Sequence, residues 1–310
     1  MSPNRVNGLV IRVTGHEVWV DVGDEVVPCL LRGRLRQKGR DFHIVAGDRV
    51  EVSPSEAEGG TGAIEEVKAR LSWLSRFTGG RAAVERVIVA NVDILFLVVS
   101  IRDPKLHYGF VDRVLVSAER GHTNTWICLN KTDLARDPSE IDDFATLYSG
   151  IGYPVVKTNA ISGDGVDELK KQLQGGVYAF VGQSGVGKSS LLNEIDETLQ
   201  LKVSHVANKT GRGRHTTSFS QLYPINGGYM ADTPGMQTFG FPGTVREELS
   251  ECFPEFAEYV EHCRFRPCMH SHEPDCAVKE AVDAGKIHPS RYKSYQWMLS
   301  EIDERLKRRY

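Results

Sequence analysis

The sequence predicts an α/β protein with a parallel sheet at its centre, an all-β segment before it and a helical segment after it. Three observations predict this. The run at residues 94–99 and the run at 177–181 are almost wholly apolar, as expected of strands buried on both faces. Between and after them the pattern alternates between strand and helix, the arrangement of βαβ units. The second run also passes through a glycine-rich turn into a helix carrying Leu191, Leu192 and Ile195. With 310 residues, 40% of them hydrophobic and 25% charged, the chain is long enough for two or three domains. Its net charge of −3 means that affinity for nucleic acid must come from local patches. No apolar run approaches membrane-spanning length and the first residues lack a signal-peptide pattern, so a cytoplasmic chain without a membrane partner is expected.

Residues 1–68 read as all-β. Leu9, Ile11 and Val13 alternate with polar neighbours, Val18, Val20 and Val22 do so again, and Val50 and Val52 close the segment. Several short strands in so few residues suit a small barrel of the OB type. Arg32, Arg34, Arg36, Lys38 and Arg40 recur at every second position. On an extended backbone they share one side, a row of cations suited either to a phosphate backbone or to a solvated edge. Residues 69–86 turn to Arg, Ser and Gly and read as a linker. From Val87 the alternation begins. A strand at 94–99 is followed by a helix over 110–119, a strand at 126–129, a helix over 141–148 and a strand at 155–156.

Gly182, Gly187, Lys188 and Ser189 satisfy G-x-x-x-x-G-K-S, the phosphate-binding loop. Phosphates approach a backbone only where side chains are absent, and the N–H groups of such a loop then converge on oxygen. The cradle comprises Gly182, Gln183, Ser184, Gly185, Val186, Gly187, Lys188, Ser189 and Ser190. Lys188 reaches the β- and γ-phosphates and the Ser189 hydroxyl ligates Mg²⁺. Straight after the strand ending at Leu129 stand Asn130, Lys131, Thr132 and Asp133, the N-K-x-D tetrad of guanine recognition. The Asp133 carboxylate accepts from both N1–H and the exocyclic amine of guanine. Adenine offers no such pair, so the site leaves a charge unpaired with ATP. Asn130 bonds the base edge and the Lys131 stem covers the ring. Thr158, Asn159 and Ala160 after the next strand match the last guanine-contacting loop, whose backbone N–H meets the base oxygen.

Past the phosphate loop, residues 202–217 hold Lys202, Lys209, Arg212 and Arg214 and no acid. They end in G-R-G-R-H-T-T, a first switch loop in which Thr217, with Thr216 as alternative, completes Mg²⁺ coordination. A strand at 229–231 runs into Asp232-Thr233-Pro234-Gly235. This is D-x-x-G: Asp232 holds Mg²⁺ through water and the Gly235 N–H touches the γ-phosphate. Met236 stands where many GTPases place a water-orienting glutamine. A thioether cannot orient water, so hydrolysis is slow unless a partner or another residue completes the site. His215 is the nearest polar candidate, for that role or for folding the loop. From 245 the chain turns helical, with Phe253, Phe256 and Tyr259 on one face. Cys263, Cys268, His270 and Cys276 give C-x4-C-x-H-x5-C, four ligands that close a structural zinc site, with His272 as the spare imidazole. Tyr292, Tyr295, Leu299, Ile302 and Leu306 recur at helical spacing before the basic tip of Lys307, Arg308 and Arg309.

The order is unusual, because N-K-x-D precedes the phosphate loop. A parallel sheet tolerates such circular permutation if the new ends lie in exposed connections. The permuted motifs, the barrel before them and the Cys₃His spacing after them resemble the small ribosomal subunit biogenesis GTPase family (RsgA), over essentially the whole chain. The resemblance implies an OB-type β-barrel at 1–68 and a circularly permuted P-loop GTPase domain at 87–244. It also implies an α-helical zinc-binding domain at 245–310. It implies a GTP hydrolase, giving GDP and phosphate, that binds the small (30S) ribosomal subunit and its rRNA during late maturation and is stimulated by it. Mg²⁺ and one structural Zn²⁺ are the implied cofactors, and a monomer is expected. A hydrophobic residue in place of the glutamine is a family trait that Met236 fits. Only residues 236–244 separate the second switch from the zinc module, so chain order predicts that the module follows the γ-phosphate.

Overall fold

The computed structural model describes residues 5–14, 17–32, 43–55, 60–78, 84–199, 221–232 and 246–307. Valine-rich alternation builds the first unit. Strands β1 (Val6–Thr14), β2 (Glu17–Asp21), β3 (Val26–Leu31), β4 (Arg49–Ser53) and β5 (Gly62–Val67) pair in the order β1-β2-β3-β5-β4. A further β1–β4 pairing closes the five into a barrel. Val10, Val18, Val20, Val27, Cys29, Val50, Val52 and Ile64 fill it. Alternation puts Val10 into the barrel and Leu9 and Ile11 on the opposite face, against the central core, and a bulge between Val10 and Arg12 then brings Val13 onto the barrel side.

The stretch read as a linker contains a hairpin. β6 (Trp73–Thr78) pairs antiparallel with β7 (Val84–Ala90), and the expected boundary at Val87 falls within β7. Leu74 and Val89 are buried in the central core, a signal that the Arg, Ser and Gly around them obscure.

The central sheet comprises β8 (Ile94–Ser100), β9 (Thr125–Asn130), β10 (Val155–Lys157), β11 (Val177–Val181), β12 (Gln221–Ile225) and β13 (Gly228–Asp232). Its order is β10-β9-β8-β11-β13-β12; the first five are parallel and β12 is antiparallel. Both faces are covered, which is why β8 lacks alternation. Leu95, Leu97 and Val99 meet α1 (Tyr108–Arg120) and α2 (Pro138–Gly150) on one side. Phe96 and Val98 meet α3 (Val166–Gln172) and α4 (Lys188–Ile195) on the other. Each such side chain contributes about 1.5–3 kcal/mol by leaving water. The helix α2 starts at Asp137, whose carboxylate accepts from the Ser139 N–H at 2.9 Å, with Pro138 in the first turn.

The tail packs as a third unit. Short helical turns lead to α5 (Ala257–Val260), α6 (Ala277–Asp283) and α7 (Pro289–Lys307). Phe253, Phe256, Tyr295, Met298, Leu299 and Ile302 form its core and enclose Val116 of α1, whereas Leu306 is exposed. Among the described residues no helix is long and apolar enough to cross a membrane. Several expectations lie outside the described residues: Arg34, Arg36, Lys38, Arg40, Lys202, Lys209, Arg212, Arg214, His215, Thr216, Thr217, Gly235, Met236, Arg308 and Arg309.

Candidate nucleotide-binding site and metal centre

Parallel strands present their carboxyl ends at one edge, where ligands of open α/β sheets sit. Strand β11, buried throughout, delivers the chain there at Gly182. A Cβ on Gly182 would stand 2.1 Å from the Val98 carbonyl oxygen, and one on Gly187, at φ +97°, would stand 2.3 Å from Asn130 Nδ2. Only glycine fits either place. Gly187 opens α4, leaving the N–H groups of its first turn, with Ser189 and Ser190, facing the edge. Lys188 Nζ donates to the carbonyls of Gly182 at 2.5 Å and Gln183 at 2.8 Å, and burial lowers its pKa. Ser184 is exposed, whereas Val186 is a core residue that offers the loop only its backbone.

The second loop is fastened to the first. Asn130, buried at the end of β9, donates through Nδ2 to the Val186 carbonyl at 2.8 Å. Its Oδ1 accepts from the Thr158 hydroxyl and the Ala160 N–H, each at 3.2 Å. Lys131 Nζ donates to the Gly185 carbonyl at 2.7 Å and also to the Asp103 carbonyl. Asp133 lies in the helical turn Thr132–Leu134 and is exposed. The third loop follows β10, where the Asn159 side chain accepts from the Ile161 N–H at 2.9 Å and fixes the turn. Asn130 thus touches all three loops. Asp232 ends β13, the parallel neighbour of β11, at the same edge.

The metal centre is equally local. One ligand atom from each of Cys263, Cys268, His270 and Cys276 lies within 4.8 Å of the others. His270 Nδ1 stands 3.5 Å from Cys263 Sγ and 3.4 Å from Cys276 Sγ, and the two sulfurs are 3.9 Å apart. A tetrahedral zinc ion with ordinary bonds sets such edges at about 3.5–3.8 Å, so the donor set fits zinc. Burial pushes the Cys268 thiol up to about 12, so thiolates gathered here require a cation to be stable. His272 is exposed and outside the cluster, so the imidazole grouped with the three thiols is that of His270. The hydroxyls of Tyr292 and Tyr295 hold the carbonyls of His270 and Met269, both at 2.8 Å.

Two features escaped the sequence. Glu273 accepts from the N–H groups of Met269 and Ser271 at 2.9 Å and of His272 at 3.1 Å. Burial works against its charge, yet the backbone donors prevail and hold it at about 2. Arg291 of α7, with no exposed side-chain surface, bonds Asp112 of α1 at 2.7 Å and Glu255 at 2.6 Å. Tyr148 of α2 donates to the same Asp112 oxygen at 2.8 Å. Burial would lower the Arg291 pKa, but the two carboxylates raise it. The spacing of Arg291 with Tyr295, Met298 and Ile302 was its one sequence signal, since it puts the cation on the buried face.

Comparison with known proteins agrees with this geometry. The profile of the RsgA GTPase family matches residues 67–242. A small ribosomal subunit biogenesis GTPase RsgA of Bacteroides fragilis is 38% identical over 307 residues, 96% of this chain and 98% of that protein. The crystal structure of YjeQ from Thermotoga maritima superposes with a TM-score of 0.79 at 36% identity, covering 96% of this chain and 99% of that one. YloQ, a circularly permuted GTPase, does so at 0.76 and 32% identity, covering 97% and 96%. By profile, full-length identity and fold, the chain belongs to the RsgA family of circularly permuted GTPases.

Proposed function

We propose that the protein binds GTP at the edge beside Lys188, selects the guanine through Asp133, and hydrolyses the nucleotide on the small ribosomal subunit during its maturation. The observation that carries this reading is the bonding of Asn130 to Val186, Thr158 and Ala160. It joins the base-reading loops to the phosphate cradle, so one nucleotide spans both. The backbone N–H groups of 182–188 and the Lys188 ammonium hold phosphate oxygens and stabilise the charge that develops on the γ-phosphoryl. Mg²⁺ held by Ser189, Thr217 and Asp232 would supply charge neutralisation between the β- and γ-phosphates. The Gly235 N–H senses the γ-phosphate. With Met236 unable to orient water, the attacking water is placed by His215 or by the subunit, and turnover depends on the partner. Zinc held by Cys263, Cys268, His270 and Cys276 is structural, since four protein ligands leave no open position.

The subunit reading rests on the full-length likeness to the RsgA protein of Bacteroides fragilis. Turnover measured with GTP and with ATP, each with and without purified small subunits, tests it. Stimulation of at least about tenfold for GTP alone is expected. Equal turnover with both nucleotides, or no response to subunits, would refute it.

A further inference from the structure

A cleft of about 570 Å³ lies between the barrel and the central sheet, within the size range of ligand sites, which favour junctions between units. It opens at the edge away from the phosphate cradle. Gly176 precedes β11 and Gly228 opens β13, so both stand at the amino ends of parallel strands. A Cβ on Gly228 would stand 2.5 Å from the Gly176 carbonyl oxygen, and one on Gly176 would stand 2.7 Å from Asp93 Oδ2. This stretch of wall is therefore bare backbone. Asp93 beside it is exposed, and its Oδ2 accepts from the Val177 N–H at 2.8 Å. Its Oδ1 has no partner among the described residues.

The barrel wall carries charge without a counter-charge. Arg49 of β4 and Lys68, just past β5, stand opposite each other, the Lys68 N–H bonding the Arg49 carbonyl at 2.9 Å. Both side chains are exposed, and like charges so placed repel. Among the described residues neither is in an ion pair; Lys68 Nζ donates at 2.6 Å to the neutral amide of Asn7. Asp21, the acid on this wall, is already engaged, accepting from the Tyr229 hydroxyl and from the Gly23 N–H at 2.8 Å.

Two unmatched cations on one wall and an open carboxylate oxygen on the other suit a ligand with anionic and amine ends. A nucleotide has both. A phosphodiester carries one negative charge, so the phosphates on either side of one nucleotide in a chain match Arg49 and Lys68 one to one. A free nucleotide gathers two or more charges at one end, and an acidic peptide sets carboxylates against Asp93. We propose that this cleft takes an unpaired nucleotide of an RNA strand, with its flanking phosphates on Arg49 and Lys68 and its exocyclic amine on Asp93, beside the Tyr229 ring. The proposal rests on the subunit reading above for the source of the RNA. Cytosine carries the amine and uracil has a carbonyl oxygen in its place, so the cleft distinguishes them.

Fluorescence anisotropy tests it on the full chain saturated with GDP, which fills the site beside Lys188, using labelled seven-nucleotide cytidine and uridine strands. The cytidine strand is expected to bind at least about fivefold tighter. Asp93→Asn keeps an oxygen for the Val177 N–H and turns its NH₂ to the base, which should abolish that preference. Arg49→Ala combined with Lys68→Ala should weaken the cytidine strand about tenfold or more and flatten its log–log salt dependence by about 1.4. Arg136→Ala, an exposed cation outside the cleft, should match the wild type. Equal binding of the two strands, wild-type binding by the double variant, or displacement of the strand by equimolar CMP or oligoglutamate would overturn the proposal. GTP turnover with purified small subunits is recorded on the same preparations. Turnover that ignores subunits sinks the subunit reading and the source of the RNA with it, whereas stimulated turnover with strands indifferent to the cleft variants sinks the cleft alone.

Discussion

Asn130 illustrates how one amide organises a site. Its two ends differ in chemistry, so a single orientation satisfies the Val186 carbonyl with the NH₂ group and the Thr158 and Ala160 donors with the oxygen. Asn130→Ala strands these groups in a buried place, at about 1–3 kcal/mol for a group left unsatisfied. We expect it to weaken fluorescent GDP binding by at least roughly tenfold, read by titration; unchanged binding would deny the loops their common anchor. Glu273 plays a similar part in the metal loop. Glu273→Ala removes the acceptor of three N–H groups and should lower the thermal midpoint by several degrees. Glu273→Gln, which keeps one acceptor oxygen, should fall between the two in the same melt.

At the scale of elements, the junction of α1 and α7 is held by buried charge. Arg291→Met leaves Asp112 and Glu255 buried without their cation, at about 3–5 kcal/mol. A urea midpoint that moves no more than for a surface substitution would contradict this. The metal loop makes the opposite test, because between Cys263 and Cys276 Met269 is the large apolar side chain that is buried, while Phe265 is exposed. A strong chelator should release one zinc ion per chain and open this loop to protease while 94–199 stays protected; a metal-free loop equally resistant would show that it folds unaided. Elements were legible where the signal was local. The phosphate loop, the N-K-x-D tetrad and the cysteine spacing are short runs whose chemistry fixes their residue types. The hairpin at 73–90 was not, because Leu74 and Val89 gain their partners from the distant core. The triad was not either, since its members come from 112, 255 and 291 and meet only in the fold.

For the whole molecule, the permuted motif order is accommodated by one central sheet that carries a unit at either end of the chain. The barrel continues the sheet through β1–β12, giving eleven strands in one hydrogen-bonded series. The alternation of Leu9 and Ile11 marks a covered face, and what covers it is the neighbouring core and not the barrel. Periodicity reports that a face is covered without saying by what.

The central claim is that N-K-x-D, though early in the chain, reads the base of the nucleotide whose phosphates lie beside Lys188. Competition of GTP and ATP for a fluorescent GDP on the wild type and on Asp133→Asn tests it most directly. The wild type should reject ATP by roughly 1,000-fold or more, and Asp133→Asn should lose about 100-fold or more of its GTP affinity while its fold is unchanged. Equal uptake of the two purine nucleotides by the wild type, or no loss in Asp133→Asn, would contradict the account.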